Sequence, residues 1–174
     1  MYTKRDDFTL IELLLFISFV VLIASLVILA YKDVRNKTAY VVAEIEMNHI
    51  INSLTAINES QKALINITGN NCSECSCRRP FLLEKVNESS LCFNNWKTVL
   101  SKIDTLSMSF SNSNSDGGLM KDPWGSPYLL DENELEFPNN PCRYDRLSTA
   151  GSDRIMGNSD DFVMIIPFRT QICR

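Results

Sequence analysis

The chain has 174 residues, with 17 Lys and Arg against 21 Asp and Glu, a formal net charge of −4, one His and six Cys. The acidic balance argues against a general nucleic-acid binder, which carries basic surface, so no nucleic-acid partner is expected. One His leaves little room for His-dependent catalysis or a multi-His metal site.

Apolar and aromatic residues make up 45% of the chain, but they are unevenly placed. From Phe8 to Tyr31 they fill 20 of 24 positions, and Glu12 carries the only charge. As a helix this stretch spans about 36 Å, enough to cross a bilayer core. The rest has ordinary soluble composition and suffices for one modest domain. A secretory signal has a shorter apolar region, about 7–15 residues, that ends at a small-residue cleavage site. Here the run flows into Lys32-Asp33-Val34-Arg35-Asn36-Lys37 with no such site, so a retained membrane helix is expected. The flanking charges (Lys4 and Arg5 before, Lys32, Arg35 and Lys37 after) differ by one and orient the span weakly. A carboxylate inside an apolar helix is costly in lipid, which makes Glu12 a functional candidate in need of a partner. The plainer alternative is a side chain that snorkels to the headgroups.

Beyond the span, Tyr40, Ala43, Met47, Ile50, Leu54, Ile57 and Leu64 recur at spacings of three, four and seven, the apolar face of an amphipathic helix. With no Pro or Gly before Gly69, the helix is expected to continue over residues 32–68 and to end at Gly69-Asn70-Asn71. His49 lies off the stripe and reads as a surface or capping residue rather than a ligand. Phe93, Trp96, Val99, Leu100 and Ile103 predict a second short helix over Cys92–Leu106, and Ser107–Gly118 reads as a loop.

All six cysteines, Cys72, Cys75, Cys77, Cys92, Cys142 and Cys173, follow the span. An even number in a membrane-tethered domain points to disulfides on a non-cytoplasmic face, with connectivity open. Cys173, one residue from the end, is expected to staple the last strand to the body. Cys72-x-x-Cys75-x-Cys77 can also begin a zinc or iron–sulfur site, with Cys92 the nearest fourth ligand.

In Asp122-Pro123-Trp124-Gly125-Ser126-Pro127-Tyr128, Pro123 fixes φ and Gly125 permits a tight turn, with Trp124 as a packing residue. Tyr128-Leu129-Leu130 predicts a strand broken by Asp131-Glu132-Asn133. Residues 148–163 read STAGSDRIMGNSDDFV, in which Asp153, Ser159, Asp160 and Asp161 supply hard oxygens of the kind calcium takes. A solvated acidic loop is the competing reading, and isolated acidic residues in the Asn- and Ser-rich loops read as solvated. Phe162–Ile166 predicts a closing strand ended by Pro167.

Three of these segments carry a family resemblance. Phe8-Thr9-Leu10-Ile11-Glu12-Leu13-Leu14, after a short leader with Lys4 and Arg5, resembles the N-terminal signal of type IV pilins and type II secretion pseudopilins. The DPWGSPY segment and the Ala150-Gly151-Ser152-Asp153…Asp160-Asp161 loop resemble parts of the major pseudopilin. The resemblance implies an α+β pilin-like fold, a long N-terminal helix with a membrane-spanning first half packed on a small antiparallel sheet. It divides the chain into a leader (1–7), a membrane and filament-core helix (8–31), its amphipathic continuation (32–68) and a disulfide-containing C-terminal domain (69–174). It implies cleavage by a prepilin peptidase between Asp7 and Phe8, methylation of the new amino terminus, and pairing of Glu12 with the amino terminus of a neighbouring subunit. It implies calcium at Asp153, Asp160, Asp161, Ser159 and Ala150. The expected partners are copies of the chain in a filament, other pilins or pseudopilins, the peptidase, an assembly platform in the bacterial inner membrane, and lipid. The C-terminal domain is expected on the periplasmic or extracellular side. Two positions depart from the family pattern: Asp7 stands where Gly precedes the Phe, and Arg154 stands where the loop has Gly.

A second reading is an uncleaved single-pass membrane protein whose disulfide-stapled ectodomain binds a ligand or partner. An enzyme is not expected, since no nucleophile–base pair, phosphate loop or HExxH motif is found.

Overall fold

In the computed structural model, residues 9–57, 62–68, 76–77, 83, 86–107 and 119–174 are described. The expected leader and cleavage pair (1–8), Cys72, Cys75 and the loop at 108–118 lie outside the described residues. The chain divides into two compact units, one ending at Thr38 and the other beginning at Ala39. Helix α1, Leu10–Ala56, has 47 residues and contributes to both units.

In the first unit, α1 carries exposed apolar side chains from Leu10 to Tyr31. Among the described residues it is one helix long and apolar enough to cross a membrane. Its two serines satisfy themselves: Ser18 Oγ donates to Leu15 O at 2.8 Å and Ser25 Oγ to Leu22 O at 2.7 Å. Such back-bonding removes the cost of a bare hydroxyl in an apolar medium. Where the chain turns polar, Asp33 and Lys37 form an exposed i,i+4 pair at 2.8 Å.

The second unit is built on the apolar stripe. Met47, Ile50, Leu54, Ile57 and Leu64 are buried in one cluster, joined by Trp96, Val99, Leu100 and Ile103. His49 is exposed, as its place off the stripe requires. The helix does not continue to residue 68: α1 ends at Ala56, and a separate short helix α2 spans Leu64–Thr68. The second long helix of this unit, α3 (Leu91–Ser107), agrees with the periodicity and buries its five stripe residues and Cys92. Trp96 meets Tyr128 edge-on at 6.0 Å, and its Nε1 donates to Leu119 O at 2.9 Å.

Strands β1 (Leu129–Asp131), β2 (Asp145–Thr149) and β3 (Phe162–Ile166) form an antiparallel sheet in sequence order. Leu130 pairs with Leu147, and Leu147 with Met164, so this row faces the core. β1 and β3 lie where expected. β2 was not foreseen, because its inward residues after Asp145 are Leu147 and a hydroxyl, which give no apolar alternation. Disulfides Cys77–Cys92 and Cys142–Cys173 are present among the described residues. The second ties the tail to the segment before β2; Cys173 lies beyond β3 and not in the last strand, where it was expected to act as the staple. The first makes Cys92 unavailable as the fourth ligand of a metal centre at the Cys72–Cys77 cluster.

Candidate functional site

Glu12 lies in the first turn of α1 as half of a reciprocal capping box with Thr9. The Thr9 N–H donates to Glu12 Oε2 at 3.0 Å, and Thr9 Oγ1 donates to the same oxygen at 2.8 Å. In return the Glu12 N–H donates to Thr9 Oγ1 at 3.3 Å. The carboxylate therefore sits at the positive end of its own helix, where the first N–H groups lack helical partners. This box was missed in the sequence, although Thr-x-x-Glu ahead of an apolar run is its local signal.

The two C-terminal motifs come together at Tyr40. In the turn, Asp122 Oδ1 accepts the N–H groups of Trp124 at 3.0 Å and Ser126 at 2.8 Å, and Gly125 takes φ of 91°. Thr149 Oγ1, just before the 150–161 loop, donates to Asp122 Oδ2. Burial raises the Asp122 carboxyl despite these donors. The Trp124 ring meets Tyr40 edge-on at 4.7 Å, while the Tyr40 hydroxyl donates to Asp160 O at 2.9 Å. One tyrosine on α1 thus touches both motifs, and Trp124 packs as expected.

The loop is closed by its own donors. Asp160 Oδ2 accepts from Ser152 Oγ at 2.9 Å and the Asp153 N–H at 3.0 Å. Asp153 accepts from the Ile155 N–H at 2.8 Å and Asn158 Nδ2 at 2.8 Å. Asp161 Oδ2 accepts the Gly157 N–H at 2.6 Å and the Asn158 N–H at 3.2 Å. Burial alone would raise the Asp160 carboxyl, but its hydrogen bonds outweigh it and hold the group below the usual range. Gly151, at φ of 61°, is required: a Cβ there would lie 2.1 Å from Asp160 O.

Arg154, which stands where the family loop has Gly, adds a positive charge to the loop, but its hydrogen bonds lead away from these carboxylates. Its Nε donates to Ser126 Oγ at 3.0 Å, and its Nη2 donates to Leu83 O at 3.1 Å and Gly125 O at 3.4 Å. Its backbone keeps the left-handed φ of 59° that a glycine adopts most easily. Arg154 therefore links the loop to the DPWG turn and to residue 83.

The donor chemistry of the loop suits calcium, with three carboxylates and a hydroxyl. Asp161 Oδ1 is buried without a hydrogen-bond partner among the described residues, an oxygen a cation would satisfy. Ser159 is exposed, Ala150 is buried beneath the loop, and Asp153 and Asp160 are engaged as above. Among the described residues, no three His, Cys, Asp or Glu side chains are gathered as a ligand group.

A third constellation was missed in the sequence. Asp131, Glu132, Asn133 and Glu134 are buried, not solvated. Glu132 accepts the Thr68 hydroxyl at 2.8 Å. Glu134 accepts the N–H groups of Arg169 at 3.0 Å and Thr170 at 2.8 Å, together with the Thr170 hydroxyl at 2.6 Å. Asp131 pairs with Arg146. Arg169 is buried and crosses to the end of α1, donating to Leu54 O, to Ile57 O at 3.0 Å and to Lys62 O at 3.3 Å. No basic residue lies in the last turn of α1, so Arg169 supplies from the tail the cation a helix C-terminus favours. This cap gives a physical reason for the early end of α1. Nothing in a run of acidic residues distinguishes a buried acceptor layer from a solvated loop; only the long-range partners do.

No protein-family model matches the chain, and no curated protein and no solved structure is found to be similar to it.

Proposed function

We propose that the chain is a structural subunit of a type IV pilin-like or pseudopilin-like filament, processed before Phe8 and assembled through its N-terminal helix. The observation that carries this reading is the change of character along α1. The described side chains from Leu10 to Tyr31 are exposed and, apart from Glu12, Ser18 and Ser25, apolar, whereas the stripe from Ala43 onward is buried in the chain's own domain. A helix segment apolar all round needs lipid or neighbouring helices to cover it, and a filament subunit uses both in turn. The long N-terminal helix and the small antiparallel sheet are consistent with a pilin-like layout.

In this reading the chain starts in the bacterial inner membrane with its domain on the periplasmic side, and subunits stack at the cell surface. The Glu12 carboxylate and the amino terminus of a neighbour offset each other's burial cost and fix the axial register. Calcium belongs to the same proposal: Asp161, Asp160 and Asp153, with Ser159 and the Ala150 carbonyl, would hold it, and it would neutralise the clustered carboxylates. The test is Glu12→Leu in the native host. The variant should insert in the membrane at normal levels and fail to assemble; normal filaments would remove Glu12 from the account.

The capping box favours a second reading, an uncleaved single-pass membrane protein, because there Glu12 already has its partner in Thr9.

A further inference from the structure

Asp145 opens β2 and is 1% exposed. Its Oδ1 accepts the N–H groups of Asn133 at 2.6 Å and Glu134 at 2.8 Å, which fastens the 131–134 corner to the strand. Its Oδ2 is buried and has no hydrogen-bond partner among the described residues. An ionised oxygen in that position has lost water and gained nothing in return.

The surrounding charges make ionisation harder. Glu134 on the corner and Asp131 on β1 both oppose a negative charge at Asp145. Glu132, on the same corner, is a further buried acid that accepts the Thr68 hydroxyl. The basic groups on neighbouring elements make bonds of their own: Arg146 of β2 to Asp131, Arg169 of the tail to Leu54, Ile57 and Lys62, and Lys102 of α3 to Thr68 O. A proton on Oδ2 would remove the buried charge that Glu134 and Asp131 oppose.

We infer that Asp145 is a buried proton-binding site, through which acidification tightens the 131–134 corner and the tail that Glu134 holds at Arg169 and Thr170. Burial, which outweighs the two N–H donors, pushes the carboxyl up to about 6. In the unfolded chain an Asp carboxyl titrates near 3.9. The native state therefore holds the proton more tightly. The stability this contributes is complete below about pH 4 and is lost as pH rises through about 6. The two values differ by about two units, so Asp145 alone shifts the unfolding equilibrium about a hundredfold across that range.

The test compares urea unfolding of the full chain in detergent micelles, wild type beside Asp145→Asn, from pH 4.5 to 7.5. Asn keeps an acceptor for the two N–H groups and cannot ionise. The wild type should weaken relative to the variant by about twentyfold in the unfolding constant between pH 4.5 and 7, after which the ratio holds steady. Parallel profiles would overturn the inference. Should the variant not fold, the carboxyl carbon of Asp145 is titrated by NMR in the wild type. A midpoint near 6 agrees with the inference, and a midpoint below 4 overturns it.

Discussion

Replacing Arg169 with Ala should cost the domain more than any other single change in its tail. Arg169 is 4% exposed, and its guanidinium donates to the carbonyls of Leu54, Ile57 and Lys62. Those groups come from the C-terminal end of α1 and the segment before α2, so one side chain closes three backbone acceptors that the helix cannot close itself. A hydrogen bond from a charged donor contributes about 1.5–3 kcal/mol, which sets an upper bound of roughly 5–9 kcal/mol for three. Water entering the truncated site recovers part of that, so we expect a loss of about 3–5 kcal/mol. Against a typical domain stability of about 5–15 kcal/mol, this is a large fraction. The assay is urea unfolding of the full chain in mild detergent, followed by tryptophan fluorescence at Trp96 and Trp124. Arg169→Lys should recover only part of the loss, because a point ammonium cannot span the three acceptors of a planar fork. Arg174→Ala is the control: Arg174 is exposed and makes one bond of 3.3 Å to Phe168 O, so its loss should stay within about 0.5 kcal/mol. If Arg169→Ala costs less than about 1 kcal/mol, the cap is ornamental and the reasoning fails.

Two further outcomes are expected. Cys173→Ser opens a loop of 31 residues, which the chain-entropy model values at about 3–4 kcal/mol, so the melting temperature should fall by many degrees, and an unchanged value would mean that the tail is held without its staple. Excess Ca²⁺ should raise the melting temperature over a chelator, by mass action on the native loop; coincident curves would remove calcium from the account.

The parts of the fold that were legible in the sequence are those set by apolar periodicity. The stripe from Ala43 to Leu64 and the face of α3 are buried in the residues expected, because a 3.6-residue repeat leaves one way to face a core. The closing strand Phe162–Ile166 also lies where its apolar run puts it. What failed was polar and long-range. Asp131 to Glu134 look like a solvated break, yet they are acceptors for Thr68, Arg146, Arg169 and Thr170, residues 15 to 64 positions away. The end of α1 depends on Arg169, 115 positions beyond Leu54. At the candidate site, the Thr9–Glu12 box was overlooked although its spacing is local, whereas the turn at Gly125 was readable. The meeting of two motifs on Tyr40 and the direction of Arg154 were not, since each is decided by a neighbour remote in sequence.

The central claim, a filament subunit freed from its leader, is tested most directly by the amino terminus of the protein isolated from its native membrane. The account predicts a chain that starts at Phe8 with a methylated amine, which gives Glu12 a partner in the next subunit. A chain that still begins at Met1 would contradict it and leave Glu12 with Thr9.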